Sequence, residues 1–164
     1  MVRAIFTLSA ALAAAAMGLA QATVHVEPYH LNGPRELQEQ TASAVVRDYI
    51  ESWQSMRTAL GQNSASALDR DFVGDAKDKL AKTVQEQVKQ GLRTEYIDRA
   101  HDIQIVFYSP EGLSVELSDK ADYDVQVFDH DKLQTTQHVS ARYIVVLTPT
   151  EVRWRVRVFQ AVPE

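Results

Sequence analysis

The apolar positions of the first half recur at helical spacing. Leu37, Val45, Tyr49, Trp53, Met56 and Leu60 lie on one side of a segment running from Pro34 to Leu60. From Val45 onward they recur every three or four residues, which places them on one face of an α-helix. Arg47, Asp48, Glu51, Gln54 and Arg57 fall on the opposite side and are expected to meet water. Pro34 suits a first turn, where its missing N–H costs nothing, and Gly61 suits the position past the end. A second helix is predicted from Asp75 with the stripe Ala76, Leu80, Val84 and Val88, stopped by Gly91.

The period changes to two at Ile103. Ile103, Ile105 and Phe107 make one inward row. After the turn at Ser109-Pro110-Glu111-Gly112, the row continues through Leu113, Val115, Leu117, Ala121, Tyr123, Val125 and Val127. Asp119 is the one carboxylate in phase with it. An unbroken strand of this length would be unusual, so a bend or bulge is expected at 118–120. A polar loop is expected from Asp129 to Gln137. Val139, Ala141, Tyr143, Val145 and Leu147, then Val152, Trp154, Val156 and Val158, complete an antiparallel meander. Helices followed by a sheet with one apolar face predict an α+β fold, with the N-terminal helices on the concave face of a curved antiparallel half-barrel.

Length and composition narrow this picture. The 164 residues suit one domain, placed at 34–164. The net charge of −5 gives no basic footprint, so no nucleic-acid partner is expected. No cysteine is present, which excludes disulfides, thiolate nucleophiles and zinc–thiolate sites. Residues 1–22 read as a secretory signal peptide: Arg3, an Ala- and Leu-rich run, and Ala20-Gln21-Ala22 before the cut. The protein is therefore expected to be exported, periplasmic or extracellular, with no transmembrane anchor after cleavage. Residues 23–33 are expected to be a flexible leader ending at Asn32-Gly33-Pro34.

Cleavage after Ala22 would place a free amine on Thr23 and a histidine third, at His25. The amine, the Val24 and His25 amides and the imidazole can form a square plane of four nitrogens, a geometry that suits Cu(II) or Ni(II). Glu27 and His30 lie close enough to join a looser site. Asp69, Asp71, Asp75 and Asp78 lack the alternation of a calcium loop and read as acidic helix starts.

The order of elements resembles the nuclear transport factor 2-like superfamily, including its ketosteroid-isomerase-like and polyketide-cyclase-like members. The resemblance covers residues 34–160. Its most specific part is the final hairpin, Tyr143-Ile144-Val145-Val146-Leu147 with Arg153-Trp154-Arg155-Val156. No strand is evident between Leu68 and Lys79, where many catalytic members have one, so the resemblance points to a non-catalytic branch. It implies a cone that could hold a small apolar ligand, lined by Tyr49, Trp53, Tyr123, Tyr143 and Trp154. An isomerase, cyclase or hydrolase using an inward carboxylate is the alternative, with Asp119 as base and Tyr123 or Tyr143 as donor. His101, Asp102 and His138 read as solvated strand ends.

On the outer sheet face, Phe128, Ile144, Val146 and Phe159 are expected beside Arg142 and Arg155. Apolar residues mixed with arginine suit an interface, with a homodimer or an envelope protein as partner. The expected function is that of a non-enzymatic binding or interaction domain.

Overall fold

The computed structural model describes residues 21–162. Its elements are β1 (Thr23–Val26), α1 (Glu39–Gly61), α2 (Gly74–Gln90), β2 (Leu92–Tyr108), β3 (Val115–Asp129), β4 (Lys132–Pro149) and β5 (Trp154–Val162). One sheet runs in the order β1-β2-β3-β4-β5. Strands β2 to β5 form the expected antiparallel meander. β1 lies parallel to β2, with His25 opposite Asp102. That direction follows from the connection, because both helices intervene before the chain returns as β2. The helices pack on the concave face, so the fold is α+β.

The core stripe of α1 is as the spacing requires. Val45, Tyr49, Trp53, Met56 and Leu60 are all buried. The helix nevertheless starts at Glu39, not Pro34, because Gln38 is extended (φ −65°, ψ 142°). Leu37 reaches the core from this extended approach. Asp48 faces inward, against expectation. Its carboxylate accepts the backbone N–H of Trp154 at 2.8 Å and the Arg47 guanidinium at 2.9 Å. α2 begins at Gly74 and ends, as expected, at a left-handed Gly91 (φ 68°). Val88 is 55% exposed, and Gln87 takes the inward place instead. The Gln87 amide donates to Leu60 O at 3.0 Å and to Asn63 Oδ1 at 2.8 Å.

The leader is not flexible throughout, since Thr23–Val26 form a strand. β2 starts at Leu92, well before Ile103. A bulge between Asp98 and Ala100 shifts the side-chain phase, so even positions face inward before it and odd positions after it. A second bulge between Ile105 and Phe107 leaves Phe107 47% exposed and buries Tyr108. β3 passes through 118–120 without a break or register shift. The irregularities that bend the sheet lie elsewhere in the ladders. The polar stretch expected as a loop is a tight turn at His130-Asp131, where His130 has φ 53°. The following residues through Gln137 continue β4.

Candidate functional site

Helix α1 separates two environments. Toward the sheet lies the cone, with Trp53 at its centre. Its ring lies 4.8 Å from His101, 5.5 Å from Tyr123, 5.6 Å from Tyr143 and 5.7 Å from Phe159, centroid to centroid. Tyr143 stacks on Phe159 at 4.6 Å, and Tyr96 stacks on Tyr123 at 5.3 Å. Such offset and edge contacts fill space as well as attract. The cone is closed by its own side chains.

A polar chain is sealed among these rings. The Tyr49 hydroxyl donates to Asp119 Oδ2 at 2.6 Å, and His101 Nδ1 approaches the same oxygen at 2.7 Å. The Tyr123 and Tyr143 hydroxyls lie 2.6 Å apart. Burial, reinforced by the Asp119 charge, pushes the Tyr49 phenol well above its ordinary pKa. Burial pushes Tyr96 up to about 12 and raises Tyr123 and Tyr143 as well. These phenols therefore stay neutral at ordinary pH, and Tyr49 serves as a donor to Asp119. Burial also raises the Asp98 carboxyl, against the pull of Arg57 at 3.3 Å. Trp53 Nε1, His101 Nε2, Asp119 Oδ1 and Asp98 Oδ1 are buried without a hydrogen-bond partner among the described residues. An unpaired buried polar group costs about 1–3 kcal/mol.

Four of the five predicted lining residues, Tyr49, Trp53, Tyr123 and Tyr143, meet here. Trp154 stands apart at the start of β5, held through its backbone to Asp48. Asp119 faces inward as its phase requires, and it is fully buried. His101 is not a solvated strand end, as it is only 2% exposed. Asp98 and Phe159 were also missed. The signal that could have found them is a bulge, which strict alternation does not register.

The other side of α1 is open. A groove of about 590 Å³ lies between α1 and the β1 segment. Val24, Val26, Tyr29, Ala42, Val46 and Ile50 give it apolar walls, while Glu39, Ser43, Arg47 and Glu51 add polar groups. Gln21, which precedes the expected cut, also lines the groove. The strand period makes β1 two-sided: Val24 and Val26 line the groove, while His25, and Glu27 just beyond the strand, fall on the alternate positions.

The predicted outer interface is only partly assembled. Arg142, Ile144 and Val146 share the convex face, where Ile144 pairs Ser118 and Val146 pairs Glu116. Phe159 instead packs into the core, because the bulge at Val146/Leu147 reverses the phase of β5. Arg155 donates to the carbonyls of Asp69 and Phe72. Phe128 lies under Arg93, 4.0 Å from guanidinium carbon to ring centroid. Asp71 is also wholly buried, receiving Ser55 and Arg153, so it is more than an acidic helix start.

The predicted metal-binding residues Thr23, Val24 and His25 lie within β1. Glu27 N donates to Ile103 O at 2.8 Å, and the period of two places the His25 N–H on the same edge. Most of the predicted signal peptide, residues 1–20, lies outside the described residues. Among the described residues, no helix is long and apolar enough to cross a membrane.

No protein-family profile and no curated protein matches the chain. Solved structures do. The intermembrane space region of the chloroplast protein ARC6 superposes with a TM-score of 0.65 at 13% identity, covering 79% of this chain and 100% of that one. A putative calcium/calmodulin-dependent protein kinase II association domain from Xanthomonas campestris gives 0.47 at 13% identity, covering 77% and 90%. A protein of unknown function with a cystatin-like fold from Nostoc punctiforme gives 0.43 at 13% identity, covering 77% and 93%. At this identity the likeness concerns the fold.

Proposed function

We propose that this chain is an exported, non-enzymatic binding domain that holds a small apolar ligand in the groove between α1 and β1. The groove is the observation that carries the reading. Its volume of about 590 Å³ falls within the range of about 300–1,000 Å³ typical of small-molecule sites. Its walls are aliphatic and aromatic, with few polar groups to fix an orientation. The ligand expected in the cone thus finds a better place outside it. The nuclear transport factor 2-like resemblance is compatible with this reading, since a helix on a curved sheet leaves clefts on both sides of the helix. Export rests on the leader pattern of residues 1–22.

Burial of the polar chain supports the non-enzymatic reading. An Asp–His–Tyr constellation can move protons, but Tyr49, Trp53, His101 and Asp119 are each at most 2% exposed. A substrate could reach them only if α1 lifted from the sheet.

The test uses N-phenyl-1-naphthylamine, a neutral probe that fluoresces in apolar surroundings. Saturable binding to the mature protein is expected. Val46→Trp, which fills the groove, should abolish binding while the circular dichroism spectrum stays native. Unchanged binding by a folded Val46→Trp protein would overturn the assignment.

A further inference from the structure

The strand that walls the groove also carries metal-ligating groups on its other side. His25 lies on β1 and Glu27 follows the strand directly, its N–H still bonded to Ile103 O, so the two, two residues apart, project the same way. Asp102 stands opposite His25 in the parallel ladder. One ligand-capable atom from each residue lies within 4.8 Å of the other two. His25 Nε2 and Glu27 Oε1 are 3.3 Å apart. That matches two ligands of one zinc ion, whose bonds of about 2.0–2.1 Å set tetrahedral neighbours about 3.3 Å apart. All three side chains are exposed, so Asp102 can rotate to close the remaining distance.

The backbone supports this placement. The ladder pairs Thr23 through Val26 with Ala100 through Ile103, and the Glu27 N–H continues it to Ile103 O. The register of two chain-distant segments is fixed before any ion arrives. A polar cavity of about 250 Å³ adjoins the group, lined by Glu27 and Asp102 with Ser118, Lys120 and Arg142 among others. Three protein ligands leave one tetrahedral position for water or an anion, the arrangement of an open zinc site. Lys120 and Arg142 favour an anion there.

We infer that His25, Glu27 and Asp102 form a Zn(II) site across the β1–β2 seam. This differs from the amino-terminal motif expected at Thr23-Val24-His25. That motif needs a free amine and two deprotonated amides in a square plane, a demand that suits Cu(II) and Ni(II). Zn(II) imposes no such plane. The seam site also needs Asp102, far along the chain, which the terminal motif does not touch. It is independent of the groove, whose ligand contacts the opposite face of β1.

The experiment is calorimetric titration of the folded protein with Zn(II) alone, using the chain as cleaved and the same chain acetylated at its amino terminus. One equivalent is expected to bind both forms equally. Asp102→Asn, Glu27→Gln and His25→Ala should each weaken binding by about tenfold or more, since even outer partners of metal sites cost about 10–100-fold. His130→Ala, remote from the seam, should change nothing. Folding of each variant is checked by circular dichroism. The ring protons of His25 should shift on Zn(II) addition in the parent, and in Asp102→Asn only at about tenfold or more higher Zn(II). No Zn(II) uptake by the parent would overturn the site. So would binding that survives Asp102→Asn but disappears on acetylation, because the ion would then sit at the chain terminus.

Discussion

The two sides of α1 have opposite finishes. On the cone side, Trp53 is enclosed by His101, Tyr123, Tyr143 and Phe159. On the β1 side, Val46 and Ile50 border an open groove. The helix is the same, but its neighbours differ in length. β2, β3 and β4 have 17, 15 and 18 residues and carry enough large side chains to fill the cone. β1 has 4 residues beside a helix of 23, so it can only fringe it. The lesson is that a cleft arises here where the sheet runs short of side chains.

The largest expected effect lies in the closed side. Trp53→Ala removes the central ring and should cost about 3–5 kcal/mol, read as a lower denaturant midpoint. A loss below about 1 kcal/mol would mean that the cone collapses easily and is less tightly packed than its geometry indicates. Next, Asp119→Ala leaves the Tyr49 hydroxyl and His101 Nδ1 unpaired, at about 1–3 kcal/mol for each group. Chemical denaturation measures it, and a neutral result would show that the polar chain can rearrange.

On the open side the expected effects fall on binding. Val26→Asp puts a charge on the groove wall at a position already 39% exposed. Stability should change by about 1 kcal/mol or less, while N-phenyl-1-naphthylamine binding is lost. A large loss of stability would instead make β1 part of the core.

The smallest expected effect is electrostatic, and its sign differs between two carboxyls, one held by charged partners and one raised by burial. Hydrogen bonds from Arg99 and then His138 hold the Asp124 carboxyl down at about 2. With a depressed folded pKa, its contribution is present above the ordinary carboxylate range and disappears as pH falls through about 2. Asp124→Asn should flatten that acid limb in thermal melts. Asp98 has the opposite sign. Burial raises its folded pKa, so its protonated form favours folding and the benefit fades as pH rises above the ordinary carboxylate range. Asp98→Asn should remove that decline.

How much the sequence revealed depended on local regularity. The α1 face was legible because Val45 to Leu60 keep helical spacing without interruption. Its start was not, because Leu37 is buried from extended backbone, and apolarity alone does not distinguish the two. Inward Asp119 was legible because β3 keeps one phase throughout. His101 was hidden because the strand was read only from Ile103, although it keeps that row's phase. Asp98 and Phe159 were hidden by bulges, each of which inserts one residue and turns every later side chain to the other face. β1 had a readable alternation, Thr23-Val24-His25-Val26, but four residues are too few to outweigh the breaker that follows. The groove was illegible for a further reason, since it joins segments brought together only by parallel pairing.

That parallel strand also bears on solubility. A bare sheet edge offers unpaired amides to any passing extended chain, including another copy. At one margin, β1 occupies Ala100 to Ile103 of β2. At the other, Phe72 bridges Val156 of β5, with Val73 N–H on Val156 O and Val156 N–H on Asp71 O. Short pieces of chain thus act as selvedges on a long woven sheet. A protein trimmed beyond Val26 would lose one of them and present a fresh template for strand-by-strand assembly.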